Sequence, residues 1–393
     1  MKVRNLEIRQ IFSSTTEKTI EVTLETYKGT VTSSVPIGTS KGKHEAKYLP
    51  VDQVMNRFNL IRRYFTNEEF SDQEDVDTTL RLIDKTEDFR SIGANLALAI
   101  SSAFLKAFAL ENFQQVFEYL CSIRKENAKM PRPICNVIGG GKHGGAVDIQ
   151  EFQFIPIHQK SFLDSVTKIA GAYNLVAKKL NEADPNFFMA KNAESAWITN
   201  LKLEEILKLM GRTANEFLLK IGIDMAASSL WDGKQYYVYR YSNKVLSSSE
   251  QLTFIKELVR NYPIIYVEDP FNEDDFTSFG ILTHELQNKM VCADDLYATN
   301  IKRLKDGLDF KASNAVLVKP NQVGTITDTI KFVDEAKKNK LITVMSHRSG
   351  ETEDTLISHL ATGLSCDYIK LGIGGERAIK INEMLRIEGK INR

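Results

Sequence analysis

The sequence predicts an α/β protein in two parts, an N-terminal α+β domain (a three-stranded meander plus helices) followed by a (β/α)8 barrel. Three observations carry this expectation. Period-two alternation of β-branched residues opens the chain, and helical periodicity replaces it from about Val51. Beyond Pro133, short apolar runs ending in a charged residue recur about every 25 residues, which suits a strand, a loop, a helix and a return loop.

Taken in order, LEIRQIF, KTIEVTLETY and GTVTSSVP read as the three strands, with Lys28-Gly29 at a turn. VDQVMNRFNLIRRYF, VDTTLRLIDKT, ANLALAISSAFLKAFA and FQQVFEYLCSI read as helices. The charged segment RKENAKMPRP (124–133), interrupted by two prolines, marks the expected boundary between domains of residues 1–124 and 125–393. Further strands are LLKIGID, YPIIYVED, KMVCADD, NAVLVK, LITVMSHR and CDYIK. The helices between them are FTSFGILTHELQ, IKRLKDGL, GTITDTIKFVDEAKK and TEDTLISHLATGL. Continuously apolar strands alternating with helices imply a parallel sheet under helices. Length suits a barrel of about 250 residues. Spacing alone leaves an open doubly wound sheet as the alternative.

Composition narrows the function. Of 393 residues, 51 are basic and 51 acidic, so bulk charge points to neither nucleic acid nor a membrane surface. Four cysteines without CxxC spacing read as reduced thiols. The N-terminus lacks the apolar core of a secretory signal, and the run 96–110 is short and holds two serines and a lysine. A soluble, cytoplasmic protein is expected, with neither nucleic acid nor membrane as partner.

In a barrel the C-terminal strand ends converge on one mouth. That ring would comprise Asp224, Glu268, Asp294, Lys319, His347 and Lys370. Three carboxylates without a thiolate favour Mg2+. The bland alternative makes each acid a helix cap, which suits one such residue better than three in the same register. Lys319, after NAVLV, reads equally as a snorkelling surface lysine or as a base beside a cation. HRSGETED (347–354) puts His347, Arg348 and Ser349 before a helix whose first turn would hold Glu351, Glu353 and Asp354. With Lys370 this would form a phosphate clamp. IGGGKHGGAV (138–147) matches GxGxxG, but the strand-like VDIQEFQFIPI follows it. It is therefore read as a mobile loop bringing His143 to substrate.

These segments, with VPIGTSKGKHEA, NVIGGGKHGGAVDIQEF, GIDMAAS, VEDPFNEDDF, ADDLYATN and VLVKPNQVGTITDTI, resemble the enolase family in the right order along nearly the whole chain. The resemblance implies a barrel that begins ββαα and reversible dehydration of 2-phospho-D-glycerate to phosphoenolpyruvate with two Mg2+. It implies that Asp224, Glu268 and Asp294 hold the first Mg2+, and that Lys319 removes the α-proton. Glu194, in AESAW, would protonate the departing hydroxide, assisted by His143, Gln150 and Glu151. Arg348 and Ser349 would bind the phosphate, Lys370 the carboxylate end, and His347 the same region. Ser40 would help hold the second Mg2+ as its loop closes. A homodimer or higher homo-oligomer is implied too.

The chain departs from the family pattern in several places, among them a segment between His143 and Glu151 that is one residue shorter than usual. AESAW stands where the family has DEGGF, so the loop path should differ if those glycines need positive φ. SSTTEKT (13–19) replaces DSRGNPT, and LGIGG shortens the stretch before Glu376. These changes motivate a second reading, a non-catalytic paralogue that binds without turnover. A superfamily enzyme acting on another carboxylate is the third.

Overall fold

The alternation at the N-terminus becomes a sheet with one buried face. In the computed structural model, which describes residues 1–38 and 42–392, β1 (Val3–Phe12), β2 (Lys18–Thr26) and β3 (Gly29–Ser34) form an antiparallel meander. Val3, Leu6, Ile20, Val22 and Leu24 are completely buried, because alternate residues of a strand share a face. Four helices follow: α1 (Val51–Ile61), α2 (Gln73–Asp84), α3 (Ala94–Glu111) and α4 (Val116–Arg124). At 18 residues α3 is longer than the apolar run 96–110, and by length and composition it could cross a membrane. Instead, 83% of it is buried against β2, β3 and neighbouring helices.

The second part opens with β4 (Arg132–Gly139), β5 (Glu151–Pro156), α5 (Phe162–Ala183) and α6 (Leu203–Glu216). After β6 (Leu219–Asp224) comes a small hairpin, β7 (Tyr236–Tyr239) and β8 (Lys244–Ser247), then α7 (Ser248–Asn261). Regular units follow: β9 (Ile264–Glu268), α8 (Phe276–Glu285), β10 (Met290–Ala293), α9 (Ile301–Asp309) and β11 (Ala315–Val318). The chain ends with the single turn α10 (Pro320–Val323), α11 (Ile326–Lys338), β12 (Ile342–Ser346), α12 (Leu356–Gly363), β13 (Tyr368–Gly372) and α13 (Ala378–Ile391). Strands β4, β5, β6 and β9 to β13 close into a barrel, which excludes the open sheet. Its start is ββαα, with β5 antiparallel to both β4 and β6.

The barrel interior is filled in tiers. Ile134, Ile155, Tyr266, Met290, Cys292, Ala315, Leu317 and Val344 form a separate apolar cluster in its lower part. With that space packed, the inward positions nearer the mouth are left to polar and charged side chains.

One expectation fails locally. Helix α12 begins at Leu356 and has no acidic residue in its first turn. Glu351 lies upstream, accepting from the Arg348 N–H at 2.8 Å and pairing with Lys380 at 3.0 Å. Asp354 accepts from the Leu356 N–H at 2.9 Å, and it also joins the two domains. It pairs with Lys106 of α3 at 2.7 Å and accepts from Ser33 and Ser34 of β3. Tertiary contacts have claimed the acids that local helix electrostatics would have placed in a first turn.

Burial works to raise the Asp354 pKa, but the Lys106 ammonium and the backbone donors outweigh it and hold the carboxyl below its usual range. A depressed acid stabilises the fold above its unfolded pKa, near 3.9, and loses that contribution as pH falls. Asp354→Asn should therefore cost about 3 kcal/mol at neutral pH. The difference in Tm from the parent should shrink below about pH 4.

Candidate active site

Register sets the centre of the site. Glu151, Asp224 and Glu268 are direct cross-strand partners on β5, β6 and β9, so three carboxylates stand side by side at the mouth. Like charges so placed repel. Lys370, in the middle of β13, reaches in among them. Its Nζ lies 2.7 Å from Glu268, 3.1 Å from Asp224 and 3.1 Å from Glu151. Asp294 follows β10 and pairs with Lys319, which follows β11, while the Gln322 amide donates to its other oxygen at 2.9 Å. Burial disfavours both ammonium groups, but their acidic neighbours prevail and keep them charged.

Glu151, Asp224, Asp294, Lys319 and Lys370 line a cavity of about 140 Å³ together with His143, Gln150, Glu194, His347, Arg348 and Ser349. Every predicted residue that is described lines it except Glu268, which is fully buried beneath Lys370. Ser40 lies outside the described residues.

The phosphate clamp is not assembled as expected. Lys370 is committed to the carboxylates, and Arg348 points its guanidinium at Glu45 (3.1 Å) and Asn321 (3.3 Å). The Arg348 and Ser349 carbonyls accept from the buried Arg377, which holds the segment from behind. Ser349 remains on the cavity wall.

On the opposite side, His143 Nδ1 lies 3.8 Å from Glu151 and 3.7 Å from Glu194, and His347 Nε2 lies 3.9 Å from Glu194. His143 is carried by a short 3-10 turn, Gly141–His143, in a loop tied back by the Gly141 N–H to Val147. Burial, opposed by Lys370 and reinforced by Glu194 and Asp224, pushes the Glu151 pKa well up. Burial would also raise Glu194, but its cationic neighbours overcome that and leave it below the carboxylate range. His143 and His347, then Lys370 and Arg377, are the neighbours that hold Glu194 down, while burial drives His347 itself well below the usual histidine value. The two neighbouring acids are thus pushed in opposite directions, Glu151 towards its protonated form and Glu194 towards its ionised form.

AESAW keeps its turn without glycine. Ser195 has φ of +60°, the left-handed region that a glycine would enter freely. Asn192 holds the turn by accepting from the Glu194 and Ala196 N–H groups, and Tyr173 donates to the Ser195 carbonyl at 2.5 Å. Positive φ recurs around the mouth at Ala226, Asp269, Ala298 and Thr299, each shortly after a strand.

Sequence reasoning passed over Asp269, Asp295 and Glu45. The doubled acids of VED and ADD signalled the first two. Glu45 had no local signal, since only the fold brings it to Arg348. Asp269 accepts from the Asp294 and Asp295 N–H groups at 2.8 and 2.9 Å and so fixes that pair.

The donor set fits a hard divalent cation. It is rich in carboxylate oxygen and offers no thiolate, and burial, reinforced by the neighbouring acids, raises the pKa of Glu268, Asp269 and Asp295. Among the described residues, the acidic clusters with ligand atoms all within 4.8 Å are Asp269–Asp294–Asp295 and His143–Glu151–Glu194. The expected trio of Asp224, Glu268 and Asp294 is not among these clusters and is paired with lysines, Lys370 on the first two and Lys319 on the third. Buried imidazole nitrogens of His143 and His347 make no hydrogen bond, leaving polar atoms for an incoming partner.

A closed barrel whose mouth combines buried carboxylates, two lysines, two histidines and an arginine defines a barrel enzyme for an anionic substrate and a hard cation. Family models agree and are more specific. The enolase N-terminal domain matches residues 3–120, and the enolase C-terminal TIM barrel domain matches residues 127–393. The enolases of Methanosphaera stadtmanae and Archaeoglobus fulgidus are each 36% identical to the chain, across 99% of it and 97% of their own length. That of Methanothermobacter thermautotrophicus is 34% identical with the same coverage. The chain belongs to the enolase family.

If Ser195 carries the left-handed turn under strain, Ser195→Gly should raise stability by about 1 kcal/mol, and Ser195→Val should lower it by about as much or more. Thermal melts of the two variants check this, and a loss of stability in Ser195→Gly would show that the turn is not strained.

Proposed function

We propose that the protein carries out the reaction of its family at this cavity, the reversible loss of water from 2-phospho-D-glycerate to give phosphoenolpyruvate in glycolysis. One observation carries the proposal. Lys319, the neighbouring Glu151 and Glu194 and the oxygen-rich acids all line a single small cavity. Proton abstraction, hydroxide departure and charge stabilisation each need one of these groups in reach of the same substrate.

Lys319 is the base that takes the α-proton. Its ammonium is held charged by Asp294, so it becomes basic only when Asp294 turns to another cation. Asp224, Glu268 and Asp294 would hold a first Mg2+ and Ser40 would serve a second, and the two ions would supply the positive charge that proton loss next to a carboxylate demands. Glu194 delivers a proton to the departing hydroxide, with Glu151, His143 and Gln150 beside it. A polyanionic substrate entering next to Glu194 works to raise its pKa towards that task. The proton lost to Lys319 and the proton gained by hydroxide balance as one water released. Arg348 exchanges Glu45 for the phosphate, Ser349 adds a hydroxyl, and Lys370 with His347 orients the carboxylate end.

Nothing in the cavity favours the non-catalytic reading, since Glu194 lies inside it despite the altered loop. Family membership also supports a homodimer or larger homo-oligomer working in the cytoplasm.

The wild-type protein should form phosphoenolpyruvate from 2-phosphoglycerate only when Mg2+ is present, followed by ultraviolet absorbance. Lys319→Ala should lose about 10³-fold in kcat. It should still show the rise in Tm that Mg2+ produces. Glu194→Gln should fall by a comparable factor. A rate equal to wild type in either variant removes that residue from the mechanism.

A further inference from the structure

One layer below the charged mouth, the barrel holds neutral polar side chains that the reaction above does not use. Gln153 on β5 and Tyr266 on β9 have no exposed surface. They are level with each other, because Gln153 is the cross-strand partner of Gly222, and Gly222 of Tyr266. The layer above has the same register, with Glu151, Asp224 and Glu268 each two residues away on its own strand and therefore on the same inner face.

Each neutral group donates to the carboxylate above it. The Gln153 Nε2 lies 2.8 Å from Glu151 Oε2, and the Tyr266 hydroxyl lies 2.6 Å from Glu268 Oε2. The opposite oxygens are thereby turned outward. Glu268 Oε1 takes the Lys370 ammonium at 2.7 Å, and Glu151 Oε1 faces His143 at 3.8 Å, while Lys370 lies 3.1 Å from the same Glu151 Oε2 that Gln153 holds. Between the two donors, Gly222 supplies space instead of a side chain. A Cβ there would stand 2.6 Å from Gln153 Oε1 and 3.2 Å from Tyr266 Cδ1. A neutral donor can orient a carboxylate without cancelling the negative charge that a cation must meet.

The geometry points to Tyr266 and Gln153 as positioning residues, Tyr266 setting the rotation of Glu268 for the cation and Gln153 setting that of Glu151 for proton delivery. Gly222 is the clearance both require. The inference rests on the reading of this cavity as the dehydration site, but its two arms separate from that reading.

Tyr266→Phe keeps the ring and removes only the hydroxyl, and Gln153→Met keeps the length and removes the amide. Calorimetric titration of Mg2+ into the full-length protein without substrate should show binding about tenfold weaker in Tyr266→Phe. Gln153→Met should bind Mg2+ within about twofold of wild type, yet lose about tenfold in kcat with KM little changed. Gly222→Ala should show both defects. Unchanged magnesium affinity in Tyr266→Phe together with unchanged kcat in Gln153→Met overturns the inference. So do losses that merely track a lowered Tm of the metal-free protein. A wild-type protein that binds Mg2+ but never turns over 2-phosphoglycerate would sink the functional reading instead, and the magnesium titration would still judge Tyr266.

Discussion

Three buried carboxylates share a single ammonium, and the rest of the molecule is arranged so that they can. Glu151, Asp224 and Glu268 are neighbours on adjoining strands and out of bulk water, a state that desolvation and repulsion both oppose. Lys370 makes it tenable by crossing from β13 to all three. A closed barrel is what permits this reach. In an open sheet a strand at the far edge could not turn its side chain back onto the acids. The same arrangement explains why the site suits a divalent cation, since the lysines already stand in for positive charge that the acids demand.

The N-terminal domain supplies part of the wall. Glu45 holds Arg348, the Ala46 N–H bonds the Gln322 carbonyl, and Ile37 bridges Gly350. Close approach matters here, because a side chain at Gly38 would overlap the Arg348 guanidinium. Lys106 and Asp354 fasten the same face from behind. The phosphate-directed segment is therefore positioned from two domains at once, and its arginine waits on an internal carboxylate that an anion can displace.

Divergence in the loops has been absorbed locally. Ser195 adopts the backbone conformation that glycine would take, and Asn192 supplies the hydrogen bonds that keep it there. Three other strand-end segments show the same left-handed excursions, so strain at the mouth belongs to the architecture and not to one substitution.

Much of this was legible in the chain alone. Continuous apolar runs with charged ends specify inward-pointing strands and where their acids emerge, because strand and helix periods differ and each exposes its pattern locally. Asp224, Glu268, Asp294, Lys319, His347 and Lys370 could be listed from spacing. Glu151 could not, since it opens a strand that runs against its neighbours, and only the resemblance supplied it. What the fold alone decided was pairing across distance. That Arg348 meets Glu45, that Lys370 sits among acids, that Asp354 binds the other domain and that Gln153 lies level with Tyr266 all depend on register and closure. Sequence encodes such contacts only through the whole packed structure, because they join residues tens to hundreds of positions apart whose local patterns carry no trace of one another.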